Sequence, residues 1–241
     1  MIRGLYSAAT ALDAAEQQQE VTAHNLAHST TPGYRQRGLS FETFDRVLGR
    51  TARPTGDLTG TSLVGVYHDF RPGPLQFTGA PFDLALGGDG FFTLNTPNGP
   101  VYTRNGTFRL NAQGQIVSHG GFALQGEGGP VTVPPDSQRI NIGPDGTVSA
   151  DGNIVNRVLV TRFANPRQLT AVGDSLYRAG QDAGPQQQAG GDVLQGYRES
   201  SNVNPAEAMV QMIGGARYFD AAQRALRAIA ESIQLNTRPQ T

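Results

Sequence analysis

The sequence predicts an α+β protein: long N- and C-terminal helices pairing as a coiled-coil-like bundle, with a central antiparallel β domain and extended linkers between them. Three observations carry this. Residues 3–28 and the segment after Pro205 run without an interior proline and repeat apolar or small residues every seven positions. Residues from Phe82 onward alternate apolar and polar side chains between glycine turns. Gly (31) and Pro (15) are abundant while charged residues are only 16%, which favours a turn-rich β architecture over an all-helical one.

The N-terminal element, residues 1–35 with its exit, is rich in Ala, Gln, Leu and Glu, all compatible with helix. Leu5, Leu12, Gln19 and Leu26 recur every seven, with Ala8, Ala15 and Thr22 three further on. A helix of about 26 residues would span about 39 Å. Its apolar stripe is narrow and its side chains small, so it needs a partner to be stable.

That helix runs into HNLAHSTTPGYRQ, residues 24–36, where His24 and His28 stand four apart. A zinc-protease helix needs a Glu directly after the first His to activate water, and Asn25 occupies that place. The pair therefore reads as polar side chains in the last turns of a helix. Pro32 stops it and Gly33 allows the sharp exit.

Residues 36–80 mix Gly, Pro, Thr and Arg without a sustained period and read as an extended linker with one strand near Leu63 to Tyr67. The central β-rich domain is placed at 81–195, its antiparallel part running to about 165. Val101 to Arg104 and Thr107 to Leu110 flank Asn105-Gly106, the signal of a tight hairpin. Asp145-Gly146 and Asp151-Gly152 punctuate the later part as turns; they lack the alternating oxygen ligands and closing Glu of a calcium loop. RAGQDAGPQQQAGGD is a polar loop.

The C-terminal element is placed at 196–241. Asn204 is a candidate helix cap, Pro205 fits the first helical position, and Glu207 stands three after the cap as a capping-box partner would. Met212, Phe219, Leu226 and Ile233 then repeat every seven, flanked by Gly215, Ala222 and Ile229. Gly214 and Gly215 weaken an isolated helix. Close approach of another backbone would account for them, and so would a plain weak spot. Leu5, Leu12, Leu26, Met212, Gly215, Phe219, Leu226 and Ile233 are the candidate packing residues.

Composition narrows the function classes. A net charge of -1 gives no electrostatic argument for nucleic acid or an anionic membrane. All 19 basic residues are Arg; codon usage is the simpler account, planar contacts at packed interfaces the functional one. The absence of Cys removes disulfides, thiolate metal sites and a Cys nucleophile. The first twenty residues are no secretory signal, and no stretch approaches a membrane span. GGDGFF leads into an alternating run rather than a helix, so no phosphate cradle is expected. No Gly-x-Ser-x-Gly elbow exists and no His stands as a general base. The expectation is no catalytic residue, no metal and no cofactor. Rival readings are a cell-wall or zinc-dependent hydrolase and a carbohydrate-binding β module with helical tails.

Asn25, Ala27, Thr31, Gly33 and Tyr34 fit the N-terminal signature of flagellar rod and hook proteins, an Asn-rich helix end followed by Thr-x-Gly-aromatic; His24 and His28 stand where Asn is commoner. Phe82 to Leu86 with Gly90-Phe91-Phe92, and Tyr102 to Gly106, resemble the family's β-domain signature. Glu199 to Asn204, ahead of Met209, Met212, Ile213 and Arg217, resembles its C-terminal one. The length and the Ala-Arg-Tyr-Phe segment point to the rod proteins rather than the longer hook protein, and more towards the proximal-rod type than the distal. The resemblance implies a structural subunit of the bacterial flagellar basal-body rod that polymerises helically with itself and other rod or hook subunits and transmits torque. It also implies export through the flagellar type III apparatus without a cleaved signal and assembly in the periplasm. The terminal helices would form the inner layer, with Asn25, Ala27, Thr31, Pro32, Gly33 and Tyr34 as a hinge motif.

Overall fold

The computed structural model describes residues 2–43, 61–173, 175–184, 187–188 and 192–237. The chain divides into two compact units, each assembled from separated stretches. One comprises Met1–Ala27, Arg37–Asp69 and Asn204–Thr241; the other comprises His28–Gln36 and Phe70–Val203.

The helical unit contains α1 (Ile2–Ala27), β1 (Arg37–Thr43), β2 (Thr61–His68) and α2 (Pro205–Thr237). The two helices pack on each other, and α1 also meets β1 and β2. The strands pair antiparallel from Arg37 opposite His68 to Thr43 opposite Thr61, with an irregularity at Ser40/Phe41. The strand expected near Leu63 lies inside β2, and its partner β1 falls in the stretch read from sequence as linker. The whole connection between them, residues 44–60, lies outside the described residues. At the start of α2, Asn204 Oδ1 accepts from Ala206 N–H at 3.1 Å and Glu207 N–H at 3.4 Å, with Pro205 in the first helical position. The Glu207 carboxylate accepts from Gln211 Nε2 one turn on, at 3.2 Å. No helix among the described residues is long and apolar enough to cross a membrane.

The β unit is built on a twisted antiparallel path in the spatial order 169–173, 176–179, 99–103, 91–96, 123–126, 116–118 and 108–110. The adjacent Phe91 and Phe92 show how it is filled, because side chains of successive strand residues point to opposite faces. Phe92 enters a large aliphatic core with Leu84, Leu94, Ile116, Leu124 and Val131. Phe91 enters a second core with Tyr102, Phe163 and Tyr177, whose rings meet edge to face, Tyr102 and Phe163 at 4.7 Å between centroids. The middle strands are covered on both faces.

A separate three-stranded sheet, 140–142, 147–150 and 153–157, carries the Asp-Gly turns. Asp151 (φ 49°) and Gly152 (φ 89°) form a two-residue loop with both φ positive between the paired Ala150 and Asn153, the geometry that matches strand twist in a tight hairpin. Asp145 accepts from Thr147 at its hydroxyl (2.6 Å) and its amide (3.2 Å). Those hydrogen bonds, the hydroxyl's above all, hold the Asp145 carboxyl below its ordinary range.

The expected hairpin at Asn105-Gly106 is overturned. Strand 99–103 pairs with 91–96 and 176–179, whereas 108–110 pairs with 116–118. Asn105 Oδ1 instead accepts from Thr107 N–H at 3.0 Å, closing an Asx turn. Gly106 is required by proximity: a Cβ there would lie 1.6 Å from the carbonyl oxygen of Leu84, and Leu84 N–H donates to Gly106 O at 2.9 Å. A Gly106→Ala variant should lose about 1–3 kcal/mol of stability in urea unfolding. Gly88→Ala, where a Cβ meets nothing within 4 Å, should stay within about 0.5 kcal/mol of the parent.

Candidate functional site

In the β unit, residues 28–36 are not a free tether. Thr31 N–H donates to His28 O at 3.1 Å and Tyr34 N–H to Thr31 O at 3.3 Å, so the chain turns as soon as α1 has ended. The His28 ring stacks on Tyr34, centroids 5.0 Å apart, and its Nδ1 lies 3.3 Å from Thr31 Oγ1. Gly33 has φ 66°, and a Cβ on it would stand 2.3 Å from the backbone nitrogen of Asn105. Its N–H donates to Glu199 O at 2.8 Å. Tyr34 is buried; Thr31 and Pro32 are half-buried.

The next residue anchors a charge cluster. Arg35 is fully buried and its Nη2 lies 2.7 Å from Glu199 Oε1. Arg104 Nη1 meets Glu199 Oε2 at 3.2 Å and Arg104 Nη2 donates to Gly88 O at 2.8 Å. Gly73 N–H donates to Glu199 Oε1 at 2.7 Å. One carboxylate, 1% exposed, thus faces two guanidinium groups. Burial is the main force lowering the pKa of Arg104; the Glu199 charge opposes it, and the neighbouring Arg35 charge adds to it. Arg remains protonated regardless. Arg35 Nε and Nη1 and Arg104 Nε have no hydrogen-bond partner, so Glu199 is indispensable to a cluster that is already under-satisfied.

Asn202 extends the clamp. Its Oδ1 accepts from Gln36 N–H at 2.7 Å, its Nδ2 donates to Arg71 O at 3.0 Å, and its N–H donates to Tyr34 O at 3.4 Å. Chain stretches 31–36, 71–73, 104–105 and 199–202 therefore share one bonded cluster. Sequence reasoning placed Gly33 and Tyr34 here but missed the roles of Arg35, Arg104 and Glu199. The signal available was that each lies inside one of the three separated signature stretches.

The helical unit holds the other predicted residues. Asn25, 4% exposed, makes two bonds to one backbone group pair: Nδ2 donates to Arg37 O and Oδ1 accepts from Arg37 N–H, both at 2.8 Å. The amide imitates a strand partner for β1, which only Asn or Gln chemistry permits. Ala27 closes α1 and is exposed. Along α1, Ala15 and Thr22 are buried, and Ala8, Leu12, Gln19 and Leu26 half-buried. Along α2, Met212, Gly215, Phe219, Ala222, Leu226 and Ile229 are half-buried. Every other residue from Gln211 to Glu231 is exposed except Gln223. The side chains of Leu5 and Ile233 lie outside the described residues.

The two glycines of α2 give no close helix approach. A Cβ on Gly214 or Gly215 would meet nothing within 4 Å outside its own helix backbone. They border a groove of about 420 Å³ lined also by Ala14, Ala15, Phe41 and Tyr218.

Three family models match the chain: "Flagella basal body rod protein" over residues 5–35, "Flagellar hook protein FlgE/F/G D1 domain" over 85–150, and "Flagellar basal body rod FlgEFG protein C-terminal" over 194–236. The flagellar basal-body rod protein FlgF of Salmonella typhimurium is 34% identical, covering 96% of each chain. The chain belongs to the flagellar basal-body rod protein family. FlgG of Buchnera aphidicola from Schizaphis graminum is 31% identical over 97% of this chain and 98% of its own. FlgF of Caulobacter vibrioides is 31% identical over 88% and 87% respectively. This rod protein is accordingly a structural component of the flagellar basal body and not an enzyme, and the hydrolase reading has no support. Arg35, Arg104 and Glu199 fall one in each matched segment of the rod protein.

Glu199→Gln in the rod protein should cost about 3–5 kcal/mol, because two buried guanidinium groups lose their counter-charge. Near-UV circular dichroism in a urea series measures it. A loss below about 1 kcal/mol would show that the cluster is not what holds these stretches together.

Proposed function

We propose that this chain polymerises helically with itself and with other rod or hook subunits through its helical unit, and that torque is carried along the resulting tube. The observation that carries the reading is the burial of α2. Its stripe, repeating every seven residues, is the only continuous sheltered face between Gln211 and Glu231 among the described residues, yet no member of it is fully buried. A pair of helices with small side chains, covered on one side by two strands, leaves core-forming residues at a half-wet surface; neighbouring copies would finish the burial. Contacts made between different front and back patches propagate into an open helix when the rotation between copies does not close.

Passage through the flagellar export apparatus without a cleaved signal, and assembly in the periplasm, complete the reading. The family membership supports it. Asn25, Ala27, Thr31, Pro32, Gly33 and Tyr34 then serve as the turn at which the chain leaves the helical unit. Their service is to make that exit sharp and reproducible from copy to copy.

Two outcomes test the proposal. Far-UV circular dichroism of the purified chain should gain helix signal as sedimentation shows polymer forming, because the marginal helices are stabilised by neighbours. Phe219→Asp should abolish polymerisation while the β unit keeps its near-UV spectrum, since a charge on the stripe would be buried without a partner. Normal polymer yield from that variant would remove the stripe from the interface. In the same assay Gly214→Ala and Gly215→Ala should each raise isolated helix stability by about 1 kcal/mol, yet weaken polymerisation if a neighbour's side chain enters the groove.

A further inference from the structure

The α1–α2 stripe accounts for one face of each helix, and the opposite face of α2 has a distinct character. Met209, Ile213, Arg217, Asp220, Arg224 and Arg227 recur at three- and four-residue steps and lie on one side of the helix, turned away from Met212, Phe219 and Leu226. All six are exposed, Met209 to 53% and Ile213 to 56%. The side is apolar at the root of the helix and net cationic beyond it. On α1, Asp13, Glu16 and Glu20 form an exposed row distinct from the stripe of Leu12, Ala15 and Gln19. No basic residue other than a His occurs between Arg3 and Arg35. Among the described residues these three carboxylates and the three arginines of α2 make no ion pair within the chain.

Resting on the assembly reading above, we propose that the cationic face of α2 is a docking surface for the acidic face of α1 in a second copy of this chain. The charges match in spacing as well as sign. Asp13 and Glu20 are seven residues apart, as are Arg217 and Arg224, so each pair spans about 10.5 Å along its helix. If the helices run antiparallel with Glu20 beside Arg217, Asp13 falls beside Arg224, and Asp220, within one residue of the level of Glu16, is the one like-charged position in the contact. Each copy offers one acidic and one basic face, so the contact is heterologous and can repeat from copy to copy. The exposed Met209 and Ile213 supply apolar area that surface ion pairs alone lack.

The decisive experiment exchanges charge between the faces. Full-length Asp13→Arg/Glu20→Arg and full-length Arg217→Glu/Arg224→Glu are each compared with the parent by sedimentation velocity across a concentration series. Each variant alone should need at least tenfold higher concentration to assemble, because its two faces carry the same sign. An equimolar mixture should assemble at the parental concentration, since the altered α1 of one variant then meets the altered α2 of the other. Raising NaCl from 0.05 to about 0.5 M should weaken the parent in the same direction. Far-UV spectra of the variants check folding, with Asp13→Asn/Glu20→Gln and Arg217→Gln/Arg224→Gln as milder replacements should either reversal unfold. Parental assembly by both reversal variants, or a mixture of folded variants that fails to recover, overturns this surface and leaves the polymer reading intact. Loss in the α2 variant alone would also overturn it, indicating another acidic partner. A parent that stays monomeric at every concentration overturns the polymer reading itself.

Discussion

Glu199 pairs with two guanidinium groups and accepts from a backbone N–H in a place that water does not reach, and the order of the β unit around the passage of the chain follows from that carboxylate. Its side chain fixes Arg35, Arg104 and Gly73; its carbonyl fixes Gly33. Buried ion clusters of this kind contribute little net stability relative to an apolar core, but they are intolerant of losing a member. Their geometric demand is what matters here. Arg35 reaches Glu199 only because Gly33 adopts a left-handed conformation against the Asn105 backbone with no Cβ between them. Glycine, arginine and glutamate are thus a single device spread over the chain.

The helical unit is organised on the opposite principle. Its sheltered stripe is made of Ala, Thr, Gly and a few large apolar residues, and between Gln211 and Glu231 of α2 none of it becomes dry in one copy. The β unit, by contrast, places Phe92, Leu94, Ile116 and Leu124 in a core with almost no exposure. A chain that keeps one self-sufficient unit and one unfinished unit separates the requirement for solubility from the requirement for assembly. The Phe219→Asp variant probes the second without touching the first.

The helices, the cap at Asn204 and the Asp151-Gly152 turn were legible because each is specified by residues close in sequence: seven-residue spacing, an Asn-Pro start, two positions needing positive φ. Asn105-Gly106 carries the same local signal as Asp151-Gly152 and yet joins strands that do not pair. What decides between them is the carbonyl of Leu84 lying where a Cβ would be, a contact that no local pattern announces. β1 was hidden for a similar reason, since its first residue is held by the side chain of Asn25. The charge cluster was unreadable as a cluster because its members lie 69 and 95 positions apart. Single Arg and Glu residues in a β-rich sequence ordinarily indicate solvated surface, and only their burial reveals otherwise.

The discontinuity of the helical unit has a consequence in time. A chain that emerges from one end, whether from a ribosome or a narrow channel, presents α1 first and α2 last, with about 180 residues between them. Closing so long a loop directly is slow and entropically costly. The β unit removes much of that cost on folding, because it ties Gln36 to Asn202 by a 2.7 Å bond, bringing the point where the chain departs beside the point where it returns. Until the final segment is released, α1 has no cognate helix. The helical unit is therefore complete only once the last stretch has appeared, and a chain cut short before it lacks the second helix.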